Sequence, residues 1–437
     1  MHSLEAAFPL AGELDSEHIV ERLGLTGRAR VQSLGASGNG QPIELISIGD
    51  GDHSALIIGG PHPNEPIGCL TALLLLSRLS AEGALADAPG WQWHVIPAID
   101  IDGIVLNQNW FHGPLTVERY LRHFYRPPFP LQPEYSFPLE IPGYHFRAET
   151  AESACWRKAL ELTRPDLQCS LHGADTGGSF FIVSGDTPAL TEQLAGLPAR
   201  FGIALNPIGE PFTGMTGYQP GVLSFPPVED FAARSTADGP AWNAGDSSAG
   251  YAAKRFGTFS MTCEVPLWHD PRELSAEPSG YTMTDVIDER VAQLREDEQL
   301  LSRHLPALAG SVDSFESIAL SAALDDSLVR TPGTIAMLED ARGEAPRDAV
   351  LSLQDLARLE SGTTGLRTPA MLTRLARLTR PAGHDGATAA ADLVHRRLAV
   401  LAGKTRLTSV APQSAAGLQI GAIVQAARVI GAAPNGL

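Results

Sequence analysis

At 437 residues, with 43% hydrophobic and 19% charged side chains, the chain is long enough for a large core and has the composition of an ordinary soluble globular protein. Thirty-two basic against 50 acidic residues leave a formal charge of −18, so nucleic acid and anionic membrane are repelled and drop out as partners. Residues 1–5 are polar and the longest apolar run, 67–76, is far shorter than the ~20 residues a bilayer needs. The expectation is a cytoplasmic protein. Cys69, Cys155, Cys169 and Cys263 are scattered without a CxxC pair and read as buried free thiols.

In chain order, 17–23 has helical spacing. Residues 30–48 alternate around Gly35-Ala36-Ser37-Gly38-Asn39-Gly40, which predicts two edge strands joined by a turn. The apolar run 55–58 predicts a buried strand that Gly59-Gly60 breaks. His62 and Glu65 follow, then a helix marked by Cys69, Leu70, Leu73, Leu74 and Leu76. Residues 91–96 read as the next strand and 97–103 as a loop. Prolines 127, 128, 130, 133, 138 and 142 exclude regular structure over much of 107–144, while its many aromatics predict an ordered cover over a site. Within that cover Arg119, Arg122 and Arg126 recur at helical spacing, so two of them are expected to point the same way.

Residues 149–162 predict a helix, 166–171 a strand ending in His172-Gly173, 180–183 another strand and 191–197 a helix; 206–250 is loop-rich. Residues 257–268 alternate, with Phe259, Met261, Cys263 and Val265 on one face and Ser260, Thr262 and Glu264 on the other. Beyond 284 the composition becomes rich in Ala and Leu, with helical periodicity around 318–337, 349–359, 370–378, 390–401 and 420–430 and no catalytic pattern. His384 and His395 read as surface residues. The expected fold is α/β, with a mixed, mostly parallel central sheet, helices on both faces and a helical C-terminal region. The expected division is a catalytic domain at 1–305 and a region of open role at 306–437.

A neutral imidazole and a carboxylate three residues apart on one turn, at the C-terminal edge of a strand, can both reach zinc at about 2.0–2.2 Å. His62 and Glu65 are such a pair, and His172, at the end of another strand, supplies the third ligand a catalytic zinc usually takes. The set leaves one position for water, whose pKa zinc lowers toward ~7. Glu264 is the carboxylate expected to move the proton, the plainer alternative being a strand glutamate paired with a lysine or arginine.

On these residues the chain resembles the zinc carboxypeptidase family. The matching pieces are Gly60-Pro61-His62-Pro63-Asn64-Glu65, Asp102-Gly103, Ser170-Leu171-His172-Gly173 and Thr262-Cys263-Glu264-Val265-Pro266, within about residues 40–305. The resemblance implies a carboxypeptidase-like sheet, one Zn2+ per chain on His62, Glu65 and His172, Glu264 as general base and acid, and hydrolysis of an amide bond next to a free carboxylate. The family's Asn-Arg pair for that carboxylate has no literal counterpart, and Arg122 and Arg126 are the nearest candidates for binding anionic substrate. Its capping tyrosine has no evident match either: Trp242 and Asn243 stand in the corresponding region, with Tyr218 and Tyr251 outside it. The substrate is expected to be a peptide or a small acylated amino acid. Two alternatives stand beside this reading: an N-acyl amino acid deacylase of the aspartoacylase or succinylglutamate desuccinylase type, and a non-catalytic binding protein on the same fold. The helical C-terminal part is free to cap the sheet, mediate homo-oligomers or bind a partner.

Overall fold

The apolar runs at 55–58, 91–96 and 180–183 are strands, because β-branched and aromatic side chains pack well on a pleated surface covered on both faces. The computed structural model describes residues 8–81, 89–210, 215–226, 228, 243–309, 313–345, 349–360, 362–379 and 385–432; Trp242 and His384 lie outside them. Strands β1 (Ala29–Ala36), β2 (Pro42–Ile48), β3 (His53–Ile58) and β4 (Trp91–Ile96) precede a small hairpin of β5 (Leu139–Ile141) and β6 (Tyr144–Phe146). Then come β7 (Leu167–Ala174), β8 (Phe180–Val183), β9 (Gly217–Gln219), β10 (Val222–Ser224) and β11 (Phe259–Pro266). Nine of these form one sheet in the order β1-β2-β4-β3-β7-β11-β8-β10-β9. The expected predominance of parallel pairing holds at its centre, where β4, β3, β7 and β11 run side by side in parallel. Across the whole sheet four neighbouring pairs are parallel and four antiparallel.

The register at the centre decides where the chemistry falls. Ile58, the last residue of β3, pairs with Ser170, and His172 on β7 lies directly opposite Glu264 on β11. Alternation puts Gln168, Ser170 and His172 on the same face as Ser260, Thr262 and Glu264, and every residue of β11 is buried. That face is a buried polar stripe. Its inner end is hydrogen-bonded: Trp156 Nε1 of the helix Ala151–Thr163 donates to Gln168 Oε1 (3.1 Å), and Gln168 Nε2 donates to Ser248 Oγ (3.3 Å) of the helix Ser248–Phe256. The opposite, apolar face takes the helices Ile67–Ser80 and Pro412–Gly431.

One expectation changes. Residues 97–103 do not stay a loop: Asp100 Oδ1 accepts from Gly103 N (2.9 Å) and caps a helix, Ile101–Asn107. Residue 306 lies inside the helix Met283–Ala309, and the main hydrophobic core includes residues from Phe8 to Ile430. Short pairings tie the C-terminal part on as well. β12 (Trp268–His269), just past β11, joins β15 (Thr408–Ser409), and β13 (Pro278–Thr282) joins β14 (Val350–Ser352). Among the described residues no helix is long and apolar enough to cross a membrane.

Candidate metal centre

Strand β3 ends in Gly59-Gly60, and Gly60 has φ +59°, in the left-handed region that favours glycine. A Cβ there would meet Cys69 Sγ at 2.8 Å, so the position is restricted by space as well as by backbone. The next turn is closed by Glu65 N donating to His62 O (3.0 Å), which places both side chains over the end of β7. Order reverses between β3 and β7, the place where open α/β sheets leave a crevice beyond their strand ends.

His62 Nδ1, His172 Nδ1 and Glu65 Oε2 meet there. His62 Nδ1 lies 3.1 Å from Glu65 Oε2 and 3.1 Å from His172 Nδ1, and His172 Nδ1 lies 3.2 Å from Glu65 Oε2. Ligand atoms at about 2.0–2.1 Å in a tetrahedral arrangement stand about 3.3–3.4 Å apart, so this triangle needs to open only slightly to hold an ion. Two nitrogens and a carboxylate oxygen facing one point also suit zinc chemically, and the three residues are buried and could hold a metal ion. The remaining atoms are tied down. Glu65 Oε2 accepts from Gly173 N (3.1 Å), and His172 Nε2 faces Ser170 Oγ (2.9 Å) and Glu134 Oε2 (2.6 Å). A carboxylate on the far nitrogen keeps the proton there, leaves Nδ1 free to ligate and fixes the ring.

The charges reflect this crowding. Burial, helped by Arg126, draws His62 down to about 4, so its ring is neutral near pH 7, as a ligand must be. Burial opposes charge on Glu65, but His62, His172 and Arg126 outweigh it and hold the carboxylate well below its usual range. Burial likewise opposes charge on His172, yet Glu134, Glu65 and Glu264 raise it well above the usual imidazole value. Glu264, whose Oε1 lies 3.8 Å from His172 Nδ1, is pushed well above the usual carboxyl range, first by burial and then by Glu65 and Glu210. A nearby divalent cation acts in the opposite direction and favours the carboxylate.

The two arginines separate. The helix expected to carry both ends at His123, and Arg126 lies in the extended stretch beyond it. Arg122 is exposed, a position apart from the buried Tyr120 and Leu121 that set the helix's inner face, and no contact ties it to the ligands. Its expected place beside Arg126 is therefore corrected. Arg126 does reach the centre: Nη1 donates to Glu65 Oε1 (2.8 Å), and Nη2 lies 3.0 Å from His62 Nε2. Glu134, in the proline-rich segment, pairs with His172. Sequence reasoning passed over Ser170, although its place two residues before His172 puts it on the same face of the strand. The cover expected from the aromatics of 107–144 does reach the centre at Tyr135, whose ring stacks at 6.2 Å on His62 and at 4.8 Å on Phe129.

No family model matches the chain, and no curated protein matches it. Solved structures to which it is similar include a metallo-carboxypeptidase from Burkholderia cenocepacia, at 19% identity over 58% of this chain and 60% of that one, with TM-score 0.31. Carboxypeptidase A from Helicoverpa armigera is similar at 14% identity over 78% of this chain and 75% of that one, with TM-score 0.40. Bovine thrombin-activatable fibrinolysis inhibitor, solved in complex with tick carboxypeptidase inhibitor, gives 13%, 59%, 86% and 0.36 for the same measures. The chain thus spans 60% of the length of the Burkholderia protein. Likeness this distant leaves the chemistry to the residues themselves. The layout expected from the motifs, a mixed sheet flanked by helices with a His-Glu-His cluster at its C-terminal edge, is present in the chain.

Proposed function

We propose that the protein is a zinc-dependent hydrolase of carboxypeptidase type that cleaves an amide bond next to a free carboxylate. The observation that carries this is the triangle of His62 Nδ1, His172 Nδ1 and Glu65 Oε2, with the Glu264 carboxyl 3.8 Å from one of its corners. In this reading His62, Glu65 and His172 hold the ion. When bound, zinc supplies Lewis-acid polarisation of a carbonyl and acidifies a water.

Glu264 takes the proton of the attacking water and passes it to the departing amine, so a C–O bond forms as the C–N bond breaks. Arg126 has a second task. A guanidinium only donates, so its contact makes His62 Nε2 an acceptor, whereas an imidazole that ligates through Nδ1 keeps its proton on Nε2. The two arrangements exclude one another. With an ion held by Nδ1, His62 would keep its Nε2 proton, and one arm of Arg126 would be available for an anionic substrate group.

Metal analysis together with two substrate panels, dipeptides and N-acyl amino acids, tests this reading. The expected result is one zinc per chain, loss of that zinc in His172→Ala, and, in Glu264→Gln, zinc retained with turnover lower by about 10²–10⁴-fold. Cleavage confined to N-acyl amino acids would select the deacylase. A zinc-loaded chain inert to both panels would make it a binding protein, and parent-like turnover in Glu264→Gln would remove that residue's role.

A further inference from the structure

We infer that Gln419, on the last helix, is a positioning residue for the metal centre: one side chain fixes the strand of the third ligand, the strand of the proton-transfer glutamate and the helix behind the ligand turn. Gln419 is fully buried within the helix Pro412–Gly431. Its Nε2 donates to His172 O at 2.7 Å and to Cys263 O at 2.9 Å. Its Oε1 accepts from Thr71 Oγ1 at 2.5 Å, on the helix Ile67–Ser80 that begins two residues after Glu65. Both amide protons and the carbonyl are used.

The bonds fall where the sheet itself gives least support. β3 stops at Ile58, opposite Ser170, so beyond that point β7 has a strand neighbour only in β11, and His172 lies beyond it. Gln419 adds a side-chain tie between β7 and β11 there, binding a carbonyl of each. It holds the peptide of a ligand and the peptide just before Glu264, and so sets the spacing between the triangle and the group that faces it. A buried amide with all three partners in place holds a single arrangement, whereas an apolar side chain of the same size removes all three bonds. The helical region beyond 306 is in this respect part of the centre.

The inference rests on the metal reading, and the test separates the two. Zinc affinity is measured by chelator competition, and the visible spectrum of the Co2+-loaded chain is recorded, for the parent, Gln419→Met, Thr71→Val and Leu338→Ala. Leu338 belongs to a separate small cluster with Ile287, Val291, Leu294 and Ile335, so its truncation destabilises the fold away from the centre. Gln419→Met is expected to weaken zinc binding about 10-fold or more and to alter the Co2+ spectrum, as loss of a group that orients ligands does. Thr71→Val, which keeps the amide but loses its orienting hydroxyl, is expected to shift both readouts in the same direction by less, and it carries the test should Gln419→Met not fold. Leu338→Ala is expected to keep the parent's affinity and spectrum despite a lower melting temperature. A parent that takes up no Co2+ sinks the metal reading and this inference with it. A parent that takes it up, with Gln419→Met or Thr71→Val indistinguishable from it in both readouts, or with Leu338→Ala equally impaired, sinks the inference alone.

Discussion

A buried carboxyl group with one oxygen left unpartnered gives up its proton late, and Glu273 is such a group. Its Oε1 accepts from Gly177 N (2.8 Å) and Asp270 N (3.4 Å), while Oε2 is buried without a hydrogen-bond partner. Burial, helped by Asp270, raises its pKa from 4.5 to about 7. Between those values the folded chain binds more protons than the unfolded one. The stability tied to this site is therefore complete below pH 4.5, falls as pH rises, and is lost above about 7. Glu273→Gln keeps the accepting oxygen and removes the titration. Denaturant unfolding at about pH 5 and pH 8 should show the parent losing more stability over that interval than the variant, by an amount on the order of 2–3 kcal/mol; equal losses would show that Glu273 ionises normally. The same contrast between local and distant causes governs what the sequence discloses. His62, Glu65, His172 and Glu264 were legible because each sits at a strand end or on an alternating strand. Glu134 and Gln419 were not, since the former reaches His172 from an irregular loop and the latter from a helix 247 residues further along the chain.

At the scale of elements, the helix Ile67–Ser80 packs against β7 so closely that only glycine fits at its second position. A Cβ on Gly68 would lie 2.4 Å from Leu171 O and 3.0 Å from Leu171 Cβ, so Gly68→Ala must lift the helix off the strand. The displaced helix starts just after Glu65, and the strand carries His172. Gly68→Ala should therefore cost about 1–3 kcal/mol of stability, as overpacking does, and weaken zinc binding too. The paired control is Gly343→Ala, in the helix Phe315–Glu344, where an added Cβ meets nothing within 4 Å. That change should raise stability by about 0.5–1 kcal/mol through helix propensity and leave zinc affinity alone. Calorimetry with zinc titration checks both, and a Gly68→Ala chain as stable as the parent would contradict the contact. The elements themselves were largely readable: 91–96 and 180–183 are strands as predicted, and the periodicities at 318–337, 370–378, 390–401 and 420–430 are helices, while 349–359 is helical only from Leu353 because its start pairs as β14 with β13. The helix Ile101–Asn107 escaped because its signal is a capping aspartate rather than a periodic apolar face.

For the molecule as a whole, residues 1–305 depend on residues 306–437 for both core and polar ties. Leu320, Leu324, Leu372, Leu375, Leu418 and Ile423 belong to the same continuous core as the sheet's Ile57, Leu171 and Val265. Polar ties take the same course. Arg374 donates to Leu106 O (2.8 Å), His123 O (2.6 Å) and Phe124 O (3.2 Å), which holds the helix Ile101–Asn107 and the segment leading to Arg126. Arg367 Nη2 and Thr363 Oγ1 both bind Asp175, at 2.7 Å and 2.5 Å, immediately past β7. Removing 306–437 would uncover one apolar face of the sheet, leave Asp175 buried without its arginine and strip Gln419 from the centre. Losses of this kind run to several kcal/mol each, against a total stability of only about 5–15 kcal/mol. A chain of residues 1–305 should therefore be recovered insoluble or without a cooperative thermal transition, while the full chain melts in one step. Soluble yield and differential scanning calorimetry of the two decide it. A shortened chain that melts cooperatively and still binds one zinc would mean that the helical region is an attachment to a catalytic domain complete in itself.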